Sequence, residues 1–146
     1  MLQPTAEPAF RRALRVPPFK HALRVYWEDT DAGGVVFYAN YLKFFERART
    51  EWLRQLGVGQ QQLRAETGTL FVVTDTRVRF RAPARLDDLL EISVEVRRHG
   101  TASMTIFQQA WRDSLLLTEG EIRIGCVDQT SFKPRRIPNQ VVQILT

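Results

Sequence analysis

Residues 41–57 read YLKFFERARTEWLRQLG, and their spacing decides the fold. Tyr41, Phe44, Phe45, Ala48, Trp52 and Leu56 recur at helical intervals, with Lys43, Arg47, Thr50, Glu51 and Arg54 between them. That is the pattern of a helix with a single apolar stripe. Gly57 follows the last apolar position and suits the left-handed residue that ends a helix. About sixteen residues at 1.5 Å each make a rod of roughly 24 Å. The stripe is unusually aromatic and needs a broad apolar surface to lie on.

The flanking sequence supplies one. Before the helix, residues 21–28 alternate, with Leu23, Val25 and Trp27 on one face and Arg24, Tyr26 and Glu28 on the other, which predicts a half-buried strand. After it, residues 69–81, 88–98, 102–112 and 114–127 are strand-like and separated by turn chemistry: APARLDD, HGT and Arg112-Asp113-Ser114. Leu70, Val72, Val78 and Phe80 share one parity; Leu90, Ile92, Val94 and Val96 form a second apolar face; Met104, Ile106 and Ala110 form a third. Leu116, Ile122, Ile124 and Cys126 form the fourth. Short connections between long strands require antiparallel pairing, because a parallel crossover takes a dozen or more residues. The order is one strand, one helix, then four strands, an α+β domain in which one long helix lies on an antiparallel five-stranded sheet. A helix about 10 Å wide cannot cover five strands spanning roughly 24 Å, so apolar sheet is left for another subunit and an oligomer is expected.

Composition narrows the function classes. With 146 residues, 44% of them hydrophobic, one compact core is expected. The first twenty residues, MLQPTAEPAFRRALRVPPFK, read as a flexible arm without the apolar stretch of a secretory signal, leaving 21–146 as the domain. No apolar run approaches the roughly 20 residues of a membrane span. One cysteine, Cys126, and two histidines offer neither an intrachain disulfide nor an ordinary zinc site, so a cytoplasmic protein without metal or other cofactor is expected. The net charge of +5 points to an anionic partner, but arginines are scattered among carboxylates rather than gathered in a stripe, so nucleic acid is not the expected one.

Chemistry concentrates in residues 28–41, EDTDAGGVVFYANY: carboxylates, the pair Gly33-Gly34, then an apolar run into the helix. The glycines permit backbone angles closed to other residues and close approach of a ligand, while the helix beyond presents unpaired N–H groups and the positive end of its dipole. A bland alternative is that Asp29, Thr30 and Asp31 merely form an Asx or capping turn. A metal-binding D-x-D reading is weaker, because no second acidic cluster accompanies it.

The stretch RVYWEDTDAGGVVFYANYLKFFERARTEWLR resembles the signature of hotdog-fold acyl-CoA thioesterases of the 4-hydroxybenzoyl-CoA type, in particular the bacterial Tol-Pal system-associated branch. FRAPARLDDLLEISVEV, residues 80–96, is similar to that branch as well, and the likeness runs through about residues 22–136. The resemblance implies a sheet wrapped around a central helix, dimers often paired into tetramers, and active sites at the dimer interface. In the family's D-x-D-x-x-G motif the second aspartate is catalytic, which carries over to Asp31, with Asp29 as the first motif aspartate. The backbone N–H that polarises the thioester carbonyl carries over to Tyr38. Gly33 and Gly34 would line the substrate, and Arg97 and Arg98 occupy a region that in the family lies near the nucleotide of coenzyme A, where the planar guanidinium suits phosphate. The implied reaction is hydrolysis of an acyl-CoA to free acid and coenzyme A, with Asp31 as general base or nucleophile.

Other residues are read structurally. Glu46 and Arg47 suit ion pairs, though Glu46 could approach a site at a dimer interface. His21 and His99 lack triad partners, and Ser103 and Ser114 lack an elbow context. Lys133, Arg135 and Arg136 form a basic cluster of open role. Two competing functions remain. A hotdog hydratase would carry a histidine in its motif, and residues 28–41 have none. A non-catalytic cell-envelope subunit, binding acyl carrier protein or phospholipid-synthesis enzymes at the periphery of the inner membrane, would keep the fold without the turnover.

Overall fold

The computed structural model describes residues 18–145. Strands β1 (Phe19–Arg24), β2 (Thr69–Phe80), β3 (Leu89–His99), β4 (Ser103–Arg112) and β5 (Leu115–Asp128) form one antiparallel sheet in the order β1-β3-β4-β5-β2. Helix α1 (Asn40–Gln55) packs on β1 and β3, α2 (Gln60–Thr67) lies against β2, and α3 (Asn139–Leu145) closes the described chain.

The aromatic stripe of α1 is buried as its spacing requires: Tyr41, Phe44, Phe45 and Ala48 face the sheet. Gly120 lets the helix come close, since a Cβ there would stand 3.1 Å from the Arg77 carbonyl and 3.2 Å from the Phe45 ring. The helix ends at Gly57, φ +86°, as expected. The Gly57 N–H donates to the Arg54 carbonyl and the Val58 N–H to the Leu53 carbonyl, a Schellman stop sealed by the buried Val58 and Leu53 side chains. On the sheet, Leu90, Ile92, Val94, Met104, Ile106, Ala110, Ile122, Ile124 and Cys126 are buried on the predicted faces.

Several expectations need correction. The first strand is Phe19–Arg24 rather than 21–28. Residues Trp27–Asp29 form a 3-10 turn, because the Asp29 carboxylate accepts the Tyr26 N–H at 2.8 Å and curls the chain, leaving Trp27 81% exposed. The expected arm, 1–20, lies outside the described residues as far as residue 17, but Phe19 and Lys20 already pair with Val94 and Ser93. Strand β2 carries a bulge at Thr74: the register steps from Val73 opposite Ile124 to Asp75 opposite Arg123. Phe71 and Val73, rather than Leu70 and Val72, therefore share the face of Val78 and Phe80. A register shift after Ala110 likewise makes Leu117, rather than Leu116, the buried leucine of β5. The proline-rich segment KPRRIPN near the C-terminus, which by composition reads as an extended arm, is instead tied down: Pro134 bridges to Val127, and Ile137 and Val141 are buried. At the end of α1 Leu53 is buried, whereas Leu56, just after the helix, is exposed.

Among the described residues β2 is hydrogen-bonded to β5 alone, and no described strand pairs with its other edge. Val73 and Phe80 stand about half exposed along it.

Candidate active site

The loop between β1 and α1 is folded by its two aspartates in different ways. Asp29 is buried: its carboxylate holds the Tyr26 N–H, and its carbonyl accepts the Phe37 N–H at 2.9 Å and the Asn40 side-chain amide at 2.8 Å. It therefore ties both ends of the loop to the start of α1. Asp31 is exposed. Its N–H donates to the Val35 carbonyl, and its Oδ1 accepts the Gly33 N–H at 2.9 Å and, more weakly, the Val35 N–H at 3.4 Å. This is the Asx turn of the bland reading, but it engages one carboxylate oxygen; Oδ2 takes no hydrogen bond among the described residues. Gly33 has little room for a side chain, since a Cβ would sit 3.2 Å from Asp31 Oδ1, and Gly34 adopts φ +80° to turn the chain.

The far side of the loop is braced from the sheet. The Val36 N–H donates to the Ala84 carbonyl, and Val35 bridges to Arg85. Asp88 fixes that segment by accepting the Arg85 N–H and the Arg112 guanidinium, each at 2.8 Å. Partial burial pushes the Asp88 carboxyl up, but these donors outweigh it and hold the group below the usual carboxylate range.

At the start of α1 the Tyr38 N–H donates to no acceptor among the described residues, one of the unspent donors a helix start leaves. The rings of Phe37, Tyr38, Tyr41 and Phe80 form a chain of contacts with centroid separations of 4.8 to 6.1 Å, which puts the open edge of β2 beside the helix start. The loop thus offers a half-free carboxylate, an unspent N–H and an apolar wall. Sequence reasoning missed Asn40 and Phe80. Asn40 is recognisable only once the Asp29 carbonyl faces it, whereas Phe80 was assigned to a sheet face without its neighbours.

Arg97 and Arg98 are not part of this assembly within one chain. They lie at the opposite end of β3 from Leu89, roughly 26 Å along the strand from the end that meets the loop. Arg97 is the bulged residue and stacks over Phe107 at 4.0 Å. In the basic cluster Arg135 is occupied by Asp128 and the Gly68 carbonyl. His21 pairs in β1 and His99 ends β3, away from the loop. Among the described residues no three of the His, Cys, Asp and Glu side chains gather as a metal site, and no helix is long and apolar enough to cross a membrane.

A second feature lies further along α1. A cavity of about 240 Å³ opens between the helix and the sheet, lined by Trp52, Phe71, Val73 and Ile106 together with Glu46 and Arg49. Arg49 is 9% exposed, and its Nη1 donates to Oε1 of the fully buried Gln108 at 2.9 Å. Gln108 in turn donates to the Phe45 and Ser93 carbonyls. Burial pulls the Arg49 pKa below its ordinary value, although the charge of Glu46 opposes the shift. The sequence signal for Arg49 was its place four residues after Phe45, on the buried stripe.

The thioesterase-like superfamily model matches residues 25–145. The chain belongs to the thioesterase-like superfamily. This superfamily member is 46% identical over 125 residues to the acyl-CoA thioester hydrolase YbgC of Escherichia coli O6:H1, spanning 85% of this chain and 92% of that protein. It is 44% identical to the acyl-CoA thioesterase YbgC of Haemophilus influenzae, over 84% of this chain and 90% of that one. A probable thioesterase from Bartonella henselae superposes with a TM-score of 0.78 at 34% identity, covering 82% of this chain and 98% of that one. The fold of this thioesterase-like chain is accordingly the hotdog fold, with its five-stranded antiparallel sheet and accompanying helices.

Proposed function

We propose that this chain is an acyl-CoA thioesterase in which Asp31 is the reacting carboxylate and the Tyr38 N–H receives the charge that develops on the thioester oxygen. The observation that carries the reading is the division of labour between two aspartates: Asp29 is buried and committed to the loop, whereas Asp31 is exposed with one oxygen unengaged. The YbgC relatives, named as acyl-CoA thioesterases, support the substrate class.

Two routes fit this geometry. In one, Asp31 takes a proton from water as its oxygen attacks the carbonyl carbon; the oxyanion rests on the Tyr38 N–H, the C–S bond breaks, and coenzyme A leaves as a thiolate. In the other, Asp31 attacks directly, thiolate leaves, and water cleaves the mixed anhydride. Thiolate is a good leaving group, so neither route calls for a strong general acid. Gly33 and Gly34 carry no side chains and so allow the acyl thioester to approach the loop backbone closely.

The site is completed by a second copy. Two-fold antiparallel pairing of the open β2 edge lays the start of one strand against the end of its counterpart. The Arg97 end of one sheet then falls at the same end as the Asp31 loop of the other, which is how Arg97 and Arg98 would reach the coenzyme A phosphates. A homodimer, alone or paired into a tetramer around a long central helix in each copy, accounts for the exposed Val73 and Phe80. The resemblance to the Tol-Pal-associated branch supports a cytoplasmic enzyme working beside the inner membrane. A thiol-release assay across short, medium, long and aromatic acyl-CoAs tests the function. Hydrolysis of at least one class is expected; a folded oligomer inert toward the whole panel would favour the envelope-subunit reading, with acyl carrier protein or a phospholipid-synthesis enzyme as its partner.

A further inference from the structure

Arg49 is a nearly buried cation with no carboxylate in direct contact among the described residues. A guanidinium has five N–H donors. One is spent on Gln108, a neutral acceptor, and among the described residues no carboxylate lies within ion-pair distance. Burying a cation is costly unless it is paired, and an arginine needed only to staple the helix to Gln108 would serve no better than a neutral donor. The residue lines the cavity, whose other walls are largely apolar. Glu46 also lines it and its charge favours the guanidinium, but Glu46 is exposed and forms no ion pair with Arg49. A volume of about 240 Å³ is smaller than the roughly 300–1,000 Å³ of a complete ligand site, so the cavity suits part of a ligand.

Its position says which part. Phe71 and Val73 in the cavity wall belong to the first half of β2, while Phe80, which touches Tyr38, ends that strand. Under the two-fold β2 pairing proposed above, the cavity of one copy would lie at the same end as the Asp31 loop of the other. We propose that the cavity receives the far end of the acyl group and that Arg49 selects acyl groups ending in a carboxylate. This inference rests on the thioesterase reading and adds the substrate class. Arg49 is here a specificity residue: it meets the distal end of the substrate and takes no part in bond making or breaking.

The test compares acyl-CoA pairs matched in carbon count, such as adipoyl-CoA against hexanoyl-CoA, by thiol release with the intact oligomer. A charge-assisted hydrogen bond in a buried setting predicts a kcat/KM ratio favouring the carboxylate-ended member by roughly 10-fold or more. Arg49→Met should bring the ratio to about one, and Arg49→Lys, which keeps the charge, should retain part of it. Should Arg49→Met fail to fold, the wild-type ratio and Arg49→Lys decide. Hydrolysis of hexanoyl-CoA with no preference for adipoyl-CoA would overturn the inference and leave the thioesterase reading standing. A wild-type ratio that survives in folded Arg49→Met would likewise overturn it. Failure to hydrolyse either pair member, or any other acyl-CoA, would remove the thioesterase reading and the inference together.

Discussion

Asp29→Ala separates the two aspartates of the loop. The substitution deletes a buried carboxylate that accepts the Tyr26 N–H at 2.8 Å, while the Asp29 carbonyl keeps its bonds from Phe37 and Asn40. A hydrogen bond to a charged group contributes about 1.5–3 kcal/mol. Tyr26 is exposed, so water re-solvates part of the freed N–H, and the cost falls at the lower end, about 1.5 kcal/mol. At roughly 2–4 °C per kcal/mol for a chain of this size, Tm should drop by about 3–6 °C. Asp29→Asn retains an acceptor oxygen and should lose about half as much. Differential scanning calorimetry measures the stability, and thiol release on the same samples below Tm measures turnover, which should fall by less than about 10-fold because no reacting group has gone. An unchanged Tm combined with a collapse of kcat in Asp29→Ala would refute the reasoning and make Asp29 the reacting carboxylate.

Other outcomes follow from the same geometry. The Arg81 guanidinium, 2.6 Å from Glu119, holds that carboxyl below the usual range. Its contribution to stability is thus complete above the unfolded carboxylate pKa of about 4.3 and is lost as pH falls through the lower folded value. Glu119→Gln should accordingly lower Tm at neutral pH, with the two melting curves converging in acid. Arg97→Ala or Arg98→Ala should raise KM for acyl-CoA more than for a truncated thioester lacking the nucleotide; equal losses on both substrates would mark damage to folding or assembly. Light scattering at micromolar concentration should give a dimer or a larger even-numbered oligomer, and a monomer would contradict the pairing of β2 edges.

What was legible in the sequence was whatever repeats with a period. The α1 stripe is dense enough that Tyr41, Phe44, Phe45 and Ala48 admit one reading, and the apolar runs of β3, β4 and β5 are equally plain. The bulge in β2 was hidden because Thr74-Asp75-Thr76-Arg77 contains no apolar residue to reveal a change of parity. Trp27 was misplaced because its alternation with Val25 is real in the sequence but broken in space by the Asp29 turn. Helix α3 is short and follows a run rich in proline and arginine, so the buried Ile137 before it and Val141 within it carried little periodic signal. The loop announced itself through its carboxylates and paired glycines. The different fates of Asp29 and Asp31 did not, because they depend on which backbone N–H groups each carboxylate meets. The distance of Arg97 and Arg98 from the loop depends on which end of β3 adjoins it, a matter of strand order rather than spacing.

Asp31→Asn tests the central claim most directly. The exchange keeps the size of the side chain and an acceptor for the Gly33 N–H but removes the negative charge that either route requires. Steady-state thiol release should show kcat lowered by at least about 10²–10⁴-fold, with Tm and oligomeric state close to those of the wild type. Near-normal turnover by a folded Asp31→Asn oligomer would contradict the assignment and pass the role to Glu46 at the rim of the cavity.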